Sequence, residues 1–172
     1  MQKTDFNKID YFVIGLYLLI GLLIFFCYYQ NVLSQKTINE SVLAFGFMGA
    51  FGLYGLYYKR LRILKVLGVW ILIGLIQIVI YLTNKHNTDF ESAIGGSYLE
   101  YLIMLPILIL AFSLLRYLYW LIYKQELVIT ALHLRTGEIV DQRKLRGTDF
   151  VFSIIGMGVI IFGIDFVIKF IN

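Results

Sequence analysis

Long apolar stretches alternate with short polar connectors along the chain. Mainly apolar residues fill the segments about 11–29, 42–58, 66–82, 98–123 and 150–170. A transmembrane helix needs about 20 such residues, within a range of about 17–25. The pattern therefore predicts an all-α integral membrane protein, in which one membrane domain over residues 1–172 forms a bundle of five transmembrane helices.

The composition favours lipid as the solvent around these helices. Hydrophobic residues make up 60% of the 172 residues, charged residues make up 15%, and the mean hydropathy is +0.80. About half apolar is usual for a soluble domain. A soluble fold with the present composition would expose large apolar patches, which promote aggregation.

The basic residues of the connectors predict the orientation of the chain. The residues expected to contact headgroups or to set topology are Lys59, Arg60, Arg62, Lys65, Arg143, Lys144 and Arg146. Connectors rich in Lys and Arg are cytoplasmic. We therefore expect an inner or plasma membrane protein with a cytoplasmic N-terminus, an external C-terminus and an uncleaved first span. Because the net charge of +4 lies in these connectors, it indicates no nucleic-acid partner.

Glycine occupies every third position in the second span, at Gly46, Gly49, Gly52 and Gly55. In lipid, small residues let helix backbones approach closely and so supply packing energy. The row follows an i±3 groove and predicts that the second helix packs against two neighbours. Glycine rows also line pores, so a pathway along this helix stays the alternative.

Pro106 lies inside the fourth span. Its missing N–H and its ring disturb the helical hydrogen bond to Leu102. We expect a kink in the fourth helix at this position, acting either as passive curvature or as a hinge.

Residues 124–149 form the one long polar insert between spans. The segment is rich in β-formers on both sides of a turn at Gly137, which predicts a small cytoplasmic β-hairpin between the fourth and fifth helices. An extension of the fourth helix as far as Leu134 is the alternative.

Polar residues inside the spans suggest a site near the outer surface. Gln77, Glu100 and Asp165 lie in three different spans, and Lys169 follows Asp165 by one helical turn. Because charges in hydrocarbon are costly, such residues usually face the bundle or water. They predict either an outward-facing polar pocket for a cation, proton or small solute, or structural pairs that only join helices.

No motif with catalytic or ligand spacing is present. His86 and His133 fall on opposite predicted sides of the membrane, and Cys27 is the only cysteine, so we expect no metal site and no cofactor. The sequence favours a non-enzymatic structural or accessory subunit of a membrane complex, with other membrane subunits or a second copy as partners. A small oligomeric transporter or channel is the alternative.

Overall fold

The computed structural model describes residues 6–91, 96–127, 129 and 147–171. This part of the chain is helical and contains no strand. The long helices are α1 (Lys8–Tyr29), α2 (Gln35–Leu61), α3 (Leu64–Asn84), α4 (Tyr98–Tyr123) and α5 (Gly147–Ile171).

Helices α1 to α4 are each long and apolar enough to cross a membrane. The prediction of an integral membrane protein is confirmed to that extent. Helix α5 is also apolar, over the shorter stretch Gly147–Gly163. Its role as a fifth span is compatible with the structure and stays a prediction.

Local sequence explains where the first two helices begin. Asn7 caps α1, since its side chain accepts the N–H of Asp10 at 2.9 Å while the Asp10 carboxylate accepts the N–H of Asn7 at 2.8 Å. This reciprocal pair is a capping box. Ser34 caps α2 through the N–H of Thr37. Near its end, α2 contains one turn of π-helix at Leu53–Tyr57.

Helix α4 lies at the centre of the bundle and packs against α2, α3 and α5. Leu105, Leu108 and Tyr119 are wholly buried along it. Glycines on the neighbouring helices allow the close approach. A Cβ placed at Gly46 of α2 would overlap the carbonyl oxygen of Tyr101, and one at Gly163 of α5 would lie 3.0 Å from a methyl group of Ile107.

Helix α1 lies at the edge of the bundle and packs chiefly against α2. Only 6% of its most apolar stretch is buried, compared with 61% in α4. Large apolar side chains such as Leu18, Leu22 and Phe26 are exposed along it. Lipid or another apolar surface must therefore solvate most of α1.

Pro106 lies three residues into the α-helical part of α4, which begins at Met104 after a 3₁₀ turn at Tyr98–Ile103. A proline in the first turn of a helix removes an N–H that has little use there. The change from 3₁₀ to α winding lies just before Pro106, and the kink expected at this proline stays a prediction. The proline packs against α3, where its Cβ lies 3.4 Å from a Cβ placed at Gly74.

Helix α4 ends at Tyr123, and Lys124 adopts a left-handed backbone conformation with φ 52°. The alternative of a helical extension as far as Leu134 is therefore wrong. The chain turns back toward the bundle, since Leu127 and Ile129 are buried. The predicted β-hairpin lies mostly outside the described residues, as do Arg143, Lys144 and Arg146.

The basic connector after α2 does more than face headgroups. Lys59 and Lys65 are exposed, whereas Arg62 donates to the carbonyl oxygen of Leu127 and stacks over Tyr58 at 5.5 Å. The Arg62 interactions therefore attach the start of the insert to the end of α2.

A second arginine, Arg116 of α4, also binds the start of the insert. The guanidinium of Arg116 forms two hydrogen bonds of 2.8 Å with the carboxylate of Glu126, and a third of 3.3 Å with the carbonyl oxygen of Arg62. The hydrogen bonds from Arg116 hold the pKa of the Glu126 carboxyl below its ordinary value. Three separate segments thus meet at this end of the bundle.

Candidate functional site

The residues predicted to form an outer polar pocket are not all joined in the structure. The amide of Gln77 is nearly buried and donates to the Tyr17 hydroxyl at 2.8 Å, and it makes no hydrogen bond to Glu100. The Glu100 carboxylate instead lies over Gly96, 2.8 Å from a Cβ placed there. Lys169 is exposed, and the side chain of Asp165 lies outside the described atoms.

A stripe of polar side chains connects α1 to the rest of the bundle. Asp10, Tyr17 and Tyr28 are 7 and 11 residues apart. At about 100° per residue, these spacings return to within about 20° of the same face. Each of the three makes a hydrogen bond to another helix or to a connector. Polar contacts therefore hold α1, which has few buried apolar side chains.

The contact at the N-terminal end of α1 is centred on Asp10. Its carboxylate is wholly buried and accepts from Nε of Arg60 at 2.8 Å, from a second guanidinium nitrogen of Arg60, and from the hydroxyl of Tyr57. A buried carboxylate is tolerated only when it is paired and hydrogen-bonded. Arg60, which the sequence analysis assigned to topology, is thus also an interhelical ligand of Asp10.

The contact at the C-terminal end of α1 holds that end to the connector after α3. The Tyr28 hydroxyl donates to the Asp89 carboxylate at 2.8 Å and accepts from the amide of Asn87 at 3.0 Å. The carbonyl oxygen of Asp89 also accepts from the side chains of Gln35 and Asn39 at the start of α2. This end of α1 is therefore fixed to both α2 and the connector.

The central contact contains Tyr17, whose ring fits against a glycine of α2. A Cβ placed at Gly49 would lie 2.6 Å from that ring. The ring also stacks on Phe45 with centroids 4.4 Å apart and meets the Trp70 ring edge-on at 5.2 Å. Tyr17 therefore occupies the notch at Gly49 and sets the spacing between α1 and α2.

An apolar groove of about 570 Å³ lies between α1 and α2 beside Tyr17. Gly52 lies in its wall, and no atom lies within 4 Å of a Cβ placed there. The rim carries exposed side chains, including Leu16, Met48 and Leu56. These exposed positions belong to helices that are long and apolar enough to cross a membrane, so the groove opens on an apolar face of the bundle. Its volume falls within the range of about 300–1,000 Å³ typical of small-molecule sites.

Trp70 of α3 lines the same groove and is wholly buried. Its indole nitrogen has no hydrogen-bond partner among the described residues, and neither has the amide oxygen of Gln77. The lining of the groove is mainly apolar, and Tyr17, Ser41 and Tyr57 carry the hydroxyl groups in it. Within the described residues, no group of three or more His, Cys, Asp or Glu side chains could hold a metal ion.

Asp10, Tyr17 and Trp70 are not among the residues predicted from the sequence to form a site. The seven-residue spacing of Asp10 and Tyr17 was a signal for these two residues, because it places both on one helical face of an otherwise apolar span. For Trp70 there was no such signal, because its unpaired nitrogen depends on contacts between three helices.

Gly46, Gly49 and Gly52, which belong to the predicted glycine row, have different surroundings. Gly46 faces the backbone of α4, Gly49 faces a ring of α1, and Gly52 faces open space. Gly55 is buried in the π-helical turn.

Comparisons of the chain with protein-family models, with curated proteins and with solved structures found no match.

Proposed function

We propose that this protein is a non-enzymatic accessory subunit of a membrane complex, and that it works by holding one apolar chain from the bilayer in the groove between α1 and α2. The same proposal places the protein in the inner or plasma membrane, with its N-terminus in the cytoplasm and its C-terminus outside. It is supported by the connectors that carry Arg60 and Arg62, which meet the N-terminal end of α1 and the C-terminal end of α4 on one side.

The open groove at Gly52 is the observation that carries this proposal. Gly46 and Gly163 allow close contact between helices, whereas a Cβ at Gly52, as at four other glycines, meets nothing within 4 Å. Of these five open glycines, only Gly52 lines the groove. An unfilled surface forfeits dispersion contacts. In a membrane, the molecules at hand to supply those contacts are lipid chains. A protein that binds a lipid and positions it within a complex needs only such a groove and no catalytic group.

Filling the groove from within tests the proposal. Gly52→Leu places an apolar side chain into the open space, and because nothing lies within 4 Å of its Cβ, we expect the bundle to fold. Gly158→Leu is the matched control, since a Cβ at that position of α5 also meets nothing and Gly158 does not line the groove.

The measurement uses the fluorescence of Trp70 in a Trp120→Phe background, in nanodiscs of phosphatidylcholine with brominated acyl chains. Bromine quenches only on close approach, so a chain in the groove should quench the wholly buried Trp70. We expect the quenching to fall in Gly52→Leu and to persist in Gly158→Leu. Equal quenching in all three proteins, or none in the parent, would refute a lipid-filled groove.

A small oligomeric transporter or channel is the second candidate. Gln77, Glu100, Asp165 and Lys169 would then form its outward-facing pocket. The hydrogen bond from Gln77 to Tyr17 favours the structural interpretation of Gln77 instead. Solute-dependent flux in liposomes that contain only this chain would support the transporter.

A further inference from the structure

A second pocket, of about 360 Å³, lies where α3, α4 and the start of the insert meet. Residues of α4, among them Arg116, Tyr117 and Trp120, line it together with Leu67 of α3 and Glu126 of the insert. The rings of Tyr117 and Trp120 are exposed, so the pocket opens on the surface of the bundle. It shares no residue with the groove between α1 and α2 and is therefore independent of the proposed function.

The pocket has a surplus of positive charge. Arg116 and Glu126 in its wall are joined by two hydrogen bonds of 2.8 Å, so their charges offset each other. The ammonium of Lys124 lies 4.5 Å from the centroid of the Trp120 ring, which lines the pocket. The charge of Arg62 also reaches this pair, because it lowers the pKa of the Glu126 carboxyl in addition to the hydrogen bonds from Arg116. Within the described part of the chain, Glu126 is the one acidic residue of the lining, so two positive charges beside the pocket are not offset there.

The Arg116 guanidinium lies at the level of the end of α4. Arg116 precedes the last residue of the helix, Tyr123, by seven residues, or about 10 Å. Its guanidinium nevertheless bonds to Glu126, which follows the end of the helix by three residues. The side chain therefore extends toward the helix end, as arginine side chains do near the ends of spanning helices. Exposed Tyr and Trp rings, such as those of Tyr117 and Trp120, are typical of the same interfacial level, where lipid headgroups lie.

The donors and charges of the pocket suit a phosphate group. A guanidinium has five N–H groups, and the carboxylate of Glu126 and the carbonyl oxygen of Arg62 accept from three of those of Arg116. Its planar donors match phosphate oxygens well. A lipid with a net negative charge would offset the surplus, whereas a zwitterionic lipid would bring a further cation. Leu110 and Leu114 are exposed along α4 next to the pocket, where acyl chains would contact them.

We propose that this pocket binds the phosphate group of an anionic glycerophospholipid, with Arg116 and Lys124 as its ligands and the acyl chains along the exposed side chains of α4. Glu126 is a positioning residue, since it holds the guanidinium of Arg116 in the wall of the pocket. The inference adds a headgroup site at the end of the bundle, separate from the groove between α1 and α2.

The first test compares two lipids. The purified full chain, in micelles of an uncharged maltoside detergent, is titrated with dioctanoyl phosphatidylglycerol or with dioctanoyl phosphatidylcholine. In protein labelled with ¹⁵N-tryptophan, the indole N–H resonance of Trp120, assigned by its absence from Trp120→Phe, reports on the pocket. We expect phosphatidylglycerol to move this resonance at concentrations at which phosphatidylcholine leaves it unchanged. Equal responses to the two lipids, or no response to either, would overturn the proposal.

The same titration separates a lipid from a free phosphate compound. Glycerol 3-phosphate carries the phosphate without the acyl chains, so we expect no movement of the Trp120 resonance at concentrations that saturate the response to phosphatidylglycerol. If both compounds move the resonance equally, the ligand is a soluble phosphate ester and the assignment to lipid is wrong.

Variants of single charges test the site itself. Lys124→Gln should weaken the binding of phosphatidylglycerol about 5-fold, the effect of one Lys or Arg near an anionic lipid surface. Lys59→Gln is the matched control, because Lys59 is also exposed but does not line the pocket, and we expect it to leave the affinity unchanged. Glu126→Gln should tighten binding, since it removes the opposing negative charge, which a purely structural ion pair would not do. Equal weakening in Lys124→Gln and Lys59→Gln, or weaker binding in Glu126→Gln, would refute the pocket as the site.

Discussion

The same substitution at two glycines of α2 should have opposite effects on stability. In Gly46→Ala, the new Cβ overlaps the carbonyl oxygen of Tyr101 and lies 3.0 Å from the Tyr101 Cβ. In Gly52→Ala, six residues along the same helix, the new Cβ meets no atom within 4 Å. The blocking atom at Gly46 belongs to the backbone of α4, so it cannot rotate away as a side-chain end would.

The difference in the free energy of unfolding between the two variants follows from helix propensity and from overpacking. Replacing glycine by alanine inside a helix gains about 1 kcal/mol of helix propensity, and this gain is common to both variants, so it cancels in their comparison. Overpacking a tight contact costs about 1–3 kcal/mol. The free energy of unfolding should therefore be about 1–3 kcal/mol lower in Gly46→Ala than in Gly52→Ala. This difference corresponds to about 5- to 140-fold in the unfolding equilibrium constant.

Reversible unfolding in mixed micelles, with increasing mole fraction of SDS and helix content followed by circular dichroism, measures both variants against the parent. We expect the midpoint of Gly52→Ala to lie at or above that of the parent, and the midpoint of Gly46→Ala to lie below it. Equal midpoints for the two variants would mean that α2 and α4 are not in backbone contact at Gly46, and the argument about glycine packing would fail.

Two further predictions concern the ion pairs. Asp10→Asn should lower the free energy of unfolding by about 3 kcal/mol, since it breaks a buried pair with Arg60, whereas Glu40→Gln in an exposed pair should cost less than about 1 kcal/mol. Chemical denaturation measures both decreases in the free energy of unfolding, and equal decreases in the two variants would contradict this prediction. Arg116 lowers the pKa of Glu126 in the folded protein, so its stabilising contribution is present above the ordinary value of 4.5 and is lost as the pH falls through the lowered pKa. The Tm difference between the parent and Glu126→Gln should therefore shrink from pH 6 to pH 3, and a constant difference would exclude the ion pair as its cause.

The bounds of the spanning helices could be read from hydropathy because a bilayer requires a definite length of apolar helix. The fourth span, about 98–123, coincides with α4, while α2 begins at Gln35, seven residues before the predicted span. Six of those seven residues are polar, the exception being Ile38. Helix α2 extends through them because Ser34 caps its start and because Gln35 and Asn39 bond to Asp89. Such contacts join distant parts of the chain, so hydropathy does not detect them.

The sequence predicts some residue types of the candidate site, but not the contacts that each of them makes. The glycine row indicated close packing by α2, but the row alone could not separate Gly49, which receives the ring of Tyr17, from Gly52, which receives nothing. That distinction depends on where a side chain of α1 lies. No sequence pattern pairs Asp10 with its partner for the same reason, since Arg60 is fifty residues away.

Polar contacts join α1 to the bundle at three places along its length, beside partly buried side chains such as Val13, Ile14 and Phe25 that pack against the core. The ring of Tyr17 fits against Gly49 and its hydroxyl accepts a hydrogen bond from Gln77, whereas nothing lies within 4 Å of a Cβ placed at Gly52. An apolar chain in the groove would supply the contacts with α1 that are missing. Because a ligand that binds only the folded state stabilises it in proportion to its occupancy, the docking of α1 and the filling of the groove must be coupled. Delipidation should therefore loosen α1 before the rest of the bundle, since α2 to α4 keep their own buried core. Hydrogen exchange that increases in α4 as early as in α1 during delipidation would contradict this coupling.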